Sequence, residues 1–101
     1  MITSFADRVT EKVFLGEPLT RQEVKRLGEL NLNKAQERLA VLNQVSEKDL
    51  LTMPFLRYHA LSGSERCSID ANSRRSKWRI TFAWHEDERV DVQLALIEDP
   101  H

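Results

Sequence analysis

Lys77-Trp78-Arg79-Ile80-Thr81-Phe82-Ala83-Trp84 sets four large apolar side chains (Trp78, Ile80, Phe82, Trp84) in alternation with Arg79, Thr81 and Ala83. Successive side chains on a strand point to opposite faces, so this stretch reads as a strand with one apolar face and one small, polar face that carries an arginine. Both tryptophans of the chain fall on the apolar side, which is therefore the core side. The opposite side, where Arg79 is flanked by small residues, is expected to leave room for a ligand.

Three further strands are expected around it: Phe55 to Leu61, Arg66 to Ala71, and Arg89 to Ile97, the last alternating Val90, Val92, Leu94 and Leu96 against Asp91, Gln93, Ala95 and Ile97. The connectors are short, so the four strands should run as an antiparallel meander. Ahead of them lies a helical half. Ile2 to Phe5 reads as a first or edge strand, and Asp7 to Leu15 as a short helix closed by Gly16. Thr20 and Glu23 stand at capping-box spacing before Val24, Leu27 and Leu30. Gly28 predicts a break near residues 31 to 33, where Asn33 offers a second cap. Leu32, Ala35, Leu39, Leu42 and Val45 then keep helical rhythm, and Ser46 and Asp49 can cap one more turn. Helices first and strands afterwards define an α+β fold, with helices on one face of a sheet.

The chain has 101 residues, 41% hydrophobic and 31% charged, which suits one domain with a single modest core. Its apolar runs are too short to span a membrane, and its N-terminus lacks the basic and apolar regions of a signal peptide, so a cytoplasmic location is expected. A lone cysteine, Cys67, excludes an intrachain disulfide and reads as a small buried apolar residue. The histidines have no metal-ligand spacing, the glycines form no phosphate loop, and no cofactor is implied. Net charge is −1, but charge is segregated: six basic and two acidic residues lie between Arg57 and Arg79, against six acidic and one basic between His85 and His101. Either this makes a local positive surface or the two segments pair as neighbouring strands.

The residues with chemistry to offer are His59 on the first meander strand, Arg79 on the third, and Asp99 and His101 at the C-terminus. Imidazoles move protons near neutral pH, and a guanidinium holds a phosphate and stabilises charge developing on it. Together they suit metal-independent RNA cleavage, in which a ribose 2′-OH attacks the adjacent phosphate. The plainer alternative is a surface histidine, a strand arginine paired with Asp91, and a frayed tail.

The order of elements, the segment Lys34 to Leu51, the Leu61-x-Gly63 turn, Cys67-Ser68-Ile69, Trp78-Arg79-Ile80-Thr81-Phe82-x-Trp84, the opening Met1-Ile2-x-Ser4-Phe5 and the terminal Asp99-Pro100-His101 resemble the HigB toxins of the RelE superfamily. The resemblance implies a RelE-like fold: an N-terminal strand and two to three helices packed on an antiparallel-rich sheet of four to five strands. It implies a toxin that enters the ribosomal A site and cuts mRNA there, restrained by a HigA-type helix-turn-helix antitoxin. His59, Arg79, Asp99 and His101 match the family's functional positions. The chain departs from the family at Ser62, where many members have lysine, at Pro100, where many have tyrosine, and in a longer segment between Ile69 and Trp78. Arg57, Arg74, Arg75 and Lys77 are candidates to take over RNA contacts. The departures also admit a second expectation, a catalytically weakened binding module acting through an antitoxin or repressor complex.

Overall fold

A computed structural model describes residues 1–100 of the chain. Four helices come first: α1 (Arg8–Leu15), α2 (Arg21–Leu27), α3 (Leu32–Gln44) and α4 (Glu47–Leu50), followed by a 3-10 turn, Pro54–Leu56. Four strands follow, β1 (His59–Ala60), β2 (Arg66–Asp70), β3 (Arg79–Trp84) and β4 (Val92–Glu98), in the antiparallel order β1-β2-β3-β4. The α+β class and the meander are as expected.

Local chemistry sets the helix ends. Asp7 accepts from the Thr10 backbone N–H at 2.9 Å and opens α1, while Gly16 closes it at φ 71°, in the left-handed region that glycine enters without penalty. Thr20 and Glu23 form the full capping box on α2, as Ser46 and Asp49 do on α4. The break after α2 falls where Gly28 stands, but the cap of α3 is Asn31, bonded to the Lys34 N–H, rather than Asn33.

Residues paired across the ladder share a face, so the register divides the sheet. Cys67 faces Phe82, and Ile69, Ile80 and Ile97 lie in one row. That face packs with Val9, Val13, Leu27, Leu39, Leu42, Leu50 and Leu56 into one core cluster. Each such side chain contributes about 1.5–3 kcal/mol when fully buried. Trp78 and Trp84 are partly buried against the same cluster. On the other face lie Ser68, Asp70, Arg79 and Thr81, and these too are buried.

Three of the expected strands differ from expectation. Phe55 to Leu61 is mostly not strand: Pro54 starts the 3-10 turn, Arg57 ends it at φ 54°, and only His59 and Ala60 pair with β2. In β4 the simple alternation is broken. Thr81 opposes Leu96 while Ala83 opposes Gln93, so β4 spends one extra residue opposite Phe82. Leu94 takes up this bulge at φ 55°, and Val92, Ala95 and Ile97 become the buried set. The N-terminal segment, expected as a strand, makes only two isolated parallel bridges along the outer edge of β4, Ile2 to Val92 and Phe5 to Ala95.

Candidate functional site

A cleft of about 700 Å³ opens at the end of the sheet where β1, the start of β2, the end of β3 and the β3–β4 turn meet. His59, Arg66 and His85 all line it, together with a hydrogen-bonded group centred on Tyr58.

His59 is exposed on the two-residue edge strand, and its Nδ1 lies 2.8 Å from the Arg57 carbonyl oxygen. A carbonyl only accepts, so Nδ1 carries the hydrogen and the neutral ring keeps its lone pair on Nε2. The left-handed backbone of Arg57 is what turns this carbonyl toward the ring two residues on. His85 is held likewise, its Nδ1 3.2 Å from Gln93 Oε1. Arg66 Nη2 donates to Thr81 Oγ1 at 2.9 Å and to the Leu94 carbonyl at 2.7 Å, and Thr81 donates in turn to Glu98. The Arg66 Nε and Nη1 donors have no protein partner among the described residues. The Leu94 bulge is thus what presents the carbonyl that fixes Arg66.

The wall of the cleft is aromatic and ionic. Tyr58 donates to Glu47 Oε2 at 2.5 Å, accepts from Trp84 Nε1 at 3.0 Å and lies 3.7 Å from Cys67 Sγ. Arg89 Nη1 reaches the same Glu47 oxygen at 2.5 Å. Burial, then the Glu47 carboxylate, pushes the Tyr58 hydroxyl pKa well above its ordinary 10.0, so it remains a neutral donor. The Tyr58 hydrogen bond, followed by Arg89, outweighs burial and holds Glu47 below the usual carboxylate range.

Arg79 is elsewhere. It is 8% exposed beside Asp70, 2% exposed, with Nε 3.3 Å from Asp70 Oδ1. The contact is an ion pair whose alignment falls short of a hydrogen bond, since Oδ1 has no hydrogen-bond donor. Its Nη1 donates to the carbonyls of Ser76 and, at 2.8 Å, Trp78. The open polar face expected around Arg79 is therefore closed: neighbouring polar side chains and the preceding connector occupy it. The partner is Asp70, directly across the ladder, and not Asp91, which lies 3.3 Å from the N-terminal ammonium. His59 pairs with Ser68 and so shares Arg79's face of the sheet, two strands across and two residues along, but Arg79 does not line the cleft that His59 lines.

Asp99 is exposed just beyond β4, and His101 lies outside the described residues. Arg57, Arg74, Arg75 and Lys77 are all exposed. Sequence reading passed over Arg66, His85, Glu47, Tyr58 and Arg89. The sequence places His85 in the β3–β4 hairpin turn, and only the register of β1, β2 and β3 brings that turn to the cleft His59 lines. The Glu47–Tyr58–Arg89 group joins three separate elements and left no local signal. No group of His, Cys, Asp and Glu side chains arranged to hold a metal ion occurs among the described residues, nor does a helix long and apolar enough to cross a membrane.

These elements define a small α+β domain with a four-stranded antiparallel sheet and four helices. Comparison with family models, with curated proteins and with solved structures returns no match.

Proposed function

We propose that the chain is a HigB-type toxin with a RelE-like fold, a ribosome-dependent endonuclease that cuts mRNA and is restrained by a HigA-type helix-turn-helix antitoxin. The observation that carries this reading is the convergence of two imidazoles, His59 and His85, and the Arg66 guanidinium on one cleft. The order of elements supports it: an N-terminal segment along β4, then helices, then an antiparallel meander.

In the reaction one imidazole takes the ribose 2′-OH proton as the oxygen attacks phosphorus. The bond from phosphorus to the 5′ oxygen breaks, and the second imidazole protonates that oxygen. The products are a 2′,3′-cyclic phosphate and a free 5′-OH. His59, with Nε2 unprotonated in its neutral form, suits the base; Arg66 suits the charge that builds on the phosphate oxygens. Arg79, committed to Asp70 and to the connector, serves the sheet in this scheme and not the phosphate.

A second reading, the weakened binding module, is favoured by the burial of Arg79 and by Glu65, Glu86 and Asp87 at the cleft, where carboxylates oppose a polyanion. Mapping mRNA ends after induction without antitoxin separates the two. Under the nuclease reading the wild-type chain produces codon-aligned cuts, and His59→Ala lowers cutting by about 10²-fold or more, the usual worth of a general base. The double variant Asp70→Leu/Arg79→Met replaces a buried ion pair by apolar side chains, a change that is often neutral or stabilising. It also removes the Arg79 bonds to the Ser76 and Trp78 carbonyls, so it is expected to fold with a looser connector and, unlike His59→Ala, still to cut. A wild-type chain that binds a helix-turn-helix partner but leaves mRNA intact selects the binding module.

A further inference from the structure

At the opposite end of the β2–β3 pair, a groove of about 570 Å³ runs between the end of α2 and the connector that leads into β3. Lys25 and Arg26 line one side, Arg75 and Lys77 the other, and Trp78 forms part of the wall. Glu29 is the one acidic residue among its lining. Four cations against one acid, on a chain of net charge −1, is a local concentration of positive potential.

Arg26 is neutralised by Asp7 at 2.8 Å, but Lys25 and Arg75 have no ion-pair partner among the described residues. The Lys77 ammonium rests 5.3 Å from the centre of the Trp78 ring. At the end of α2 the Val24 and Lys25 carbonyls accept from the Gly28 N–H at 3.1 and 3.2 Å, and the Leu27 carbonyl accepts from the Leu30 N–H at 3.1 Å. The basic connector is also fixed in place. Arg79 holds the Ser76 and Trp78 carbonyls from beneath, and Ser76 Oγ accepts from the Trp78 N–H at 3.2 Å.

A concave surface with cations on both sides and an aromatic wall has the chemistry of a single-stranded nucleic-acid track. We infer that this groove binds the phosphodiester backbone of single-stranded RNA, with Lys25, Arg75 and Lys77 as the phosphate contacts. The inference deepens the RNA-directed reading above by assigning where the strand is held away from the cleft. Arg79 is then the residue that positions the connector, which accounts for an arginine whose charge is spent inside the sheet.

The test is fluorescence anisotropy with a labelled single-stranded RNA of roughly 12 nucleotides, within the site sizes of such grooves, over a salt series. Each phosphate contact on a single strand adds ~0.7 to the slope of log affinity against log salt. The triple variant Lys25→Gln/Arg75→Gln/Lys77→Gln should therefore lose about 2 from that slope. The charge-preserving Lys25→Arg/Arg75→Lys/Lys77→Arg variant should keep it, which separates lost contacts from lost folding. An unchanged slope in the first variant overturns the inference. So does a polyglutamate peptide that competes as well as unlabelled RNA, which would assign the groove to an acidic protein partner. Cleavage is read separately. RNA bound through the groove but never cut sinks the nuclease and leaves the groove standing, whereas cutting with an unchanged slope does the reverse.

Discussion

Tyr58 is the only tyrosine of the chain, so its ionisation can be read directly from phenolate absorbance. Burial and the Glu47 carboxylate favour the neutral phenol, so at pH 10.0, where an unperturbed tyrosine is half ionised, the folded chain should remain largely protonated. Glu47→Gln removes the carboxylate while keeping an acceptor, and should move the midpoint back down. Equal midpoints in the two proteins would mean that the Tyr58–Glu47 hydrogen bond is not formed. The same pair links stability to pH at both ends. Above pH 10 the unfolded chain releases the tyrosine proton and the folded chain keeps it, so stability falls as pH rises. Glu47 behaves oppositely. Its contribution is present above the ordinary carboxylate value of 4.5 and is lost as pH falls through its lower folded value. Neutral pH leaves both intact, and with them the wall against which His59, His85 and Arg66 are arranged.

At the scale of elements, the β4 bulge is where stability and the site meet. Leu94 holds φ 55° although it is neither glycine nor asparagine, and it is 44% exposed. Ser4 Oγ accepts from its N–H at 2.9 Å, and its carbonyl takes the Arg66 guanidinium. A left-handed non-glycine residue costs roughly 1–2 kcal/mol, of which glycine's greater chain entropy returns about 0.5–1. Leu94→Gly should therefore be neutral or stabilising by up to about 1 kcal/mol, and Leu94→Val should destabilise, because a β-branched side chain tolerates that backbone least. Thermal melts of the two variants decide it; a glycine variant clearly less stable than wild type would show the bulge to be unstrained. This feature also marks the limit of what could be read from the chain alone. Caps and helix stops depend on residues three or four apart, so Gly16, Thr20–Glu23 and Ser46–Asp49 were legible. The β4 alternation was not, because its register is set by Ser4 and Arg66, which are remote in sequence. Phe55 looked like a strand residue, yet it is exposed, with the Arg38 guanidinium 5.3 Å from its ring centre, and Pro54 had already turned the chain. Arg79 was legible as a strand residue. Its burial depended on Asp70, which stood in sequence as one of two acids in a basic segment and became a partner only once β2 and β3 were in register.

Over the whole molecule, the sheet survives by protecting both edges. One edge is β1, which exposes only His59 and Ala60, too short to template another strand. The other is β4, the longest strand, and it is covered by the N-terminal segment. Thr3 N–H donates to the Val92 carbonyl at 2.7 Å and Val92 N–H to that of Met1 at 2.8 Å; Ala95 and Ser4, and Ala6 and Ala95, continue the ladder. Ile97 N–H, beyond the reach of that segment, finds Thr10 Oγ1 of α1 at 2.9 Å. The segment is also pinned to the helices: Ile2 N–H donates to Asn43 Oδ1 at 2.9 Å, and Phe5 packs on Phe14 with ring centres 5.5 Å apart. Deleting residues 1–5 therefore does two things. It removes the half-buried Ile2 and Phe5 side chains, worth on the order of 2–4 kcal/mol together when each is only partly buried. It also uncovers the N–H groups of Val92, Leu94 and Ala95 along one edge, a row that invites pairing with a second chain. The truncated protein should unfold at a lower urea midpoint and should associate with rising concentration in light scattering. Charge placed on the bared edge, as in Ala95→Lys, would bury an ammonium against the core, so the informative rescue is a change at exposed Leu94. Leu94→Lys in the truncated chain should suppress association without restoring the urea midpoint. If the truncated chain stays monomeric with an unchanged midpoint, the N-terminal segment is not the cover that the hydrogen bonds describe.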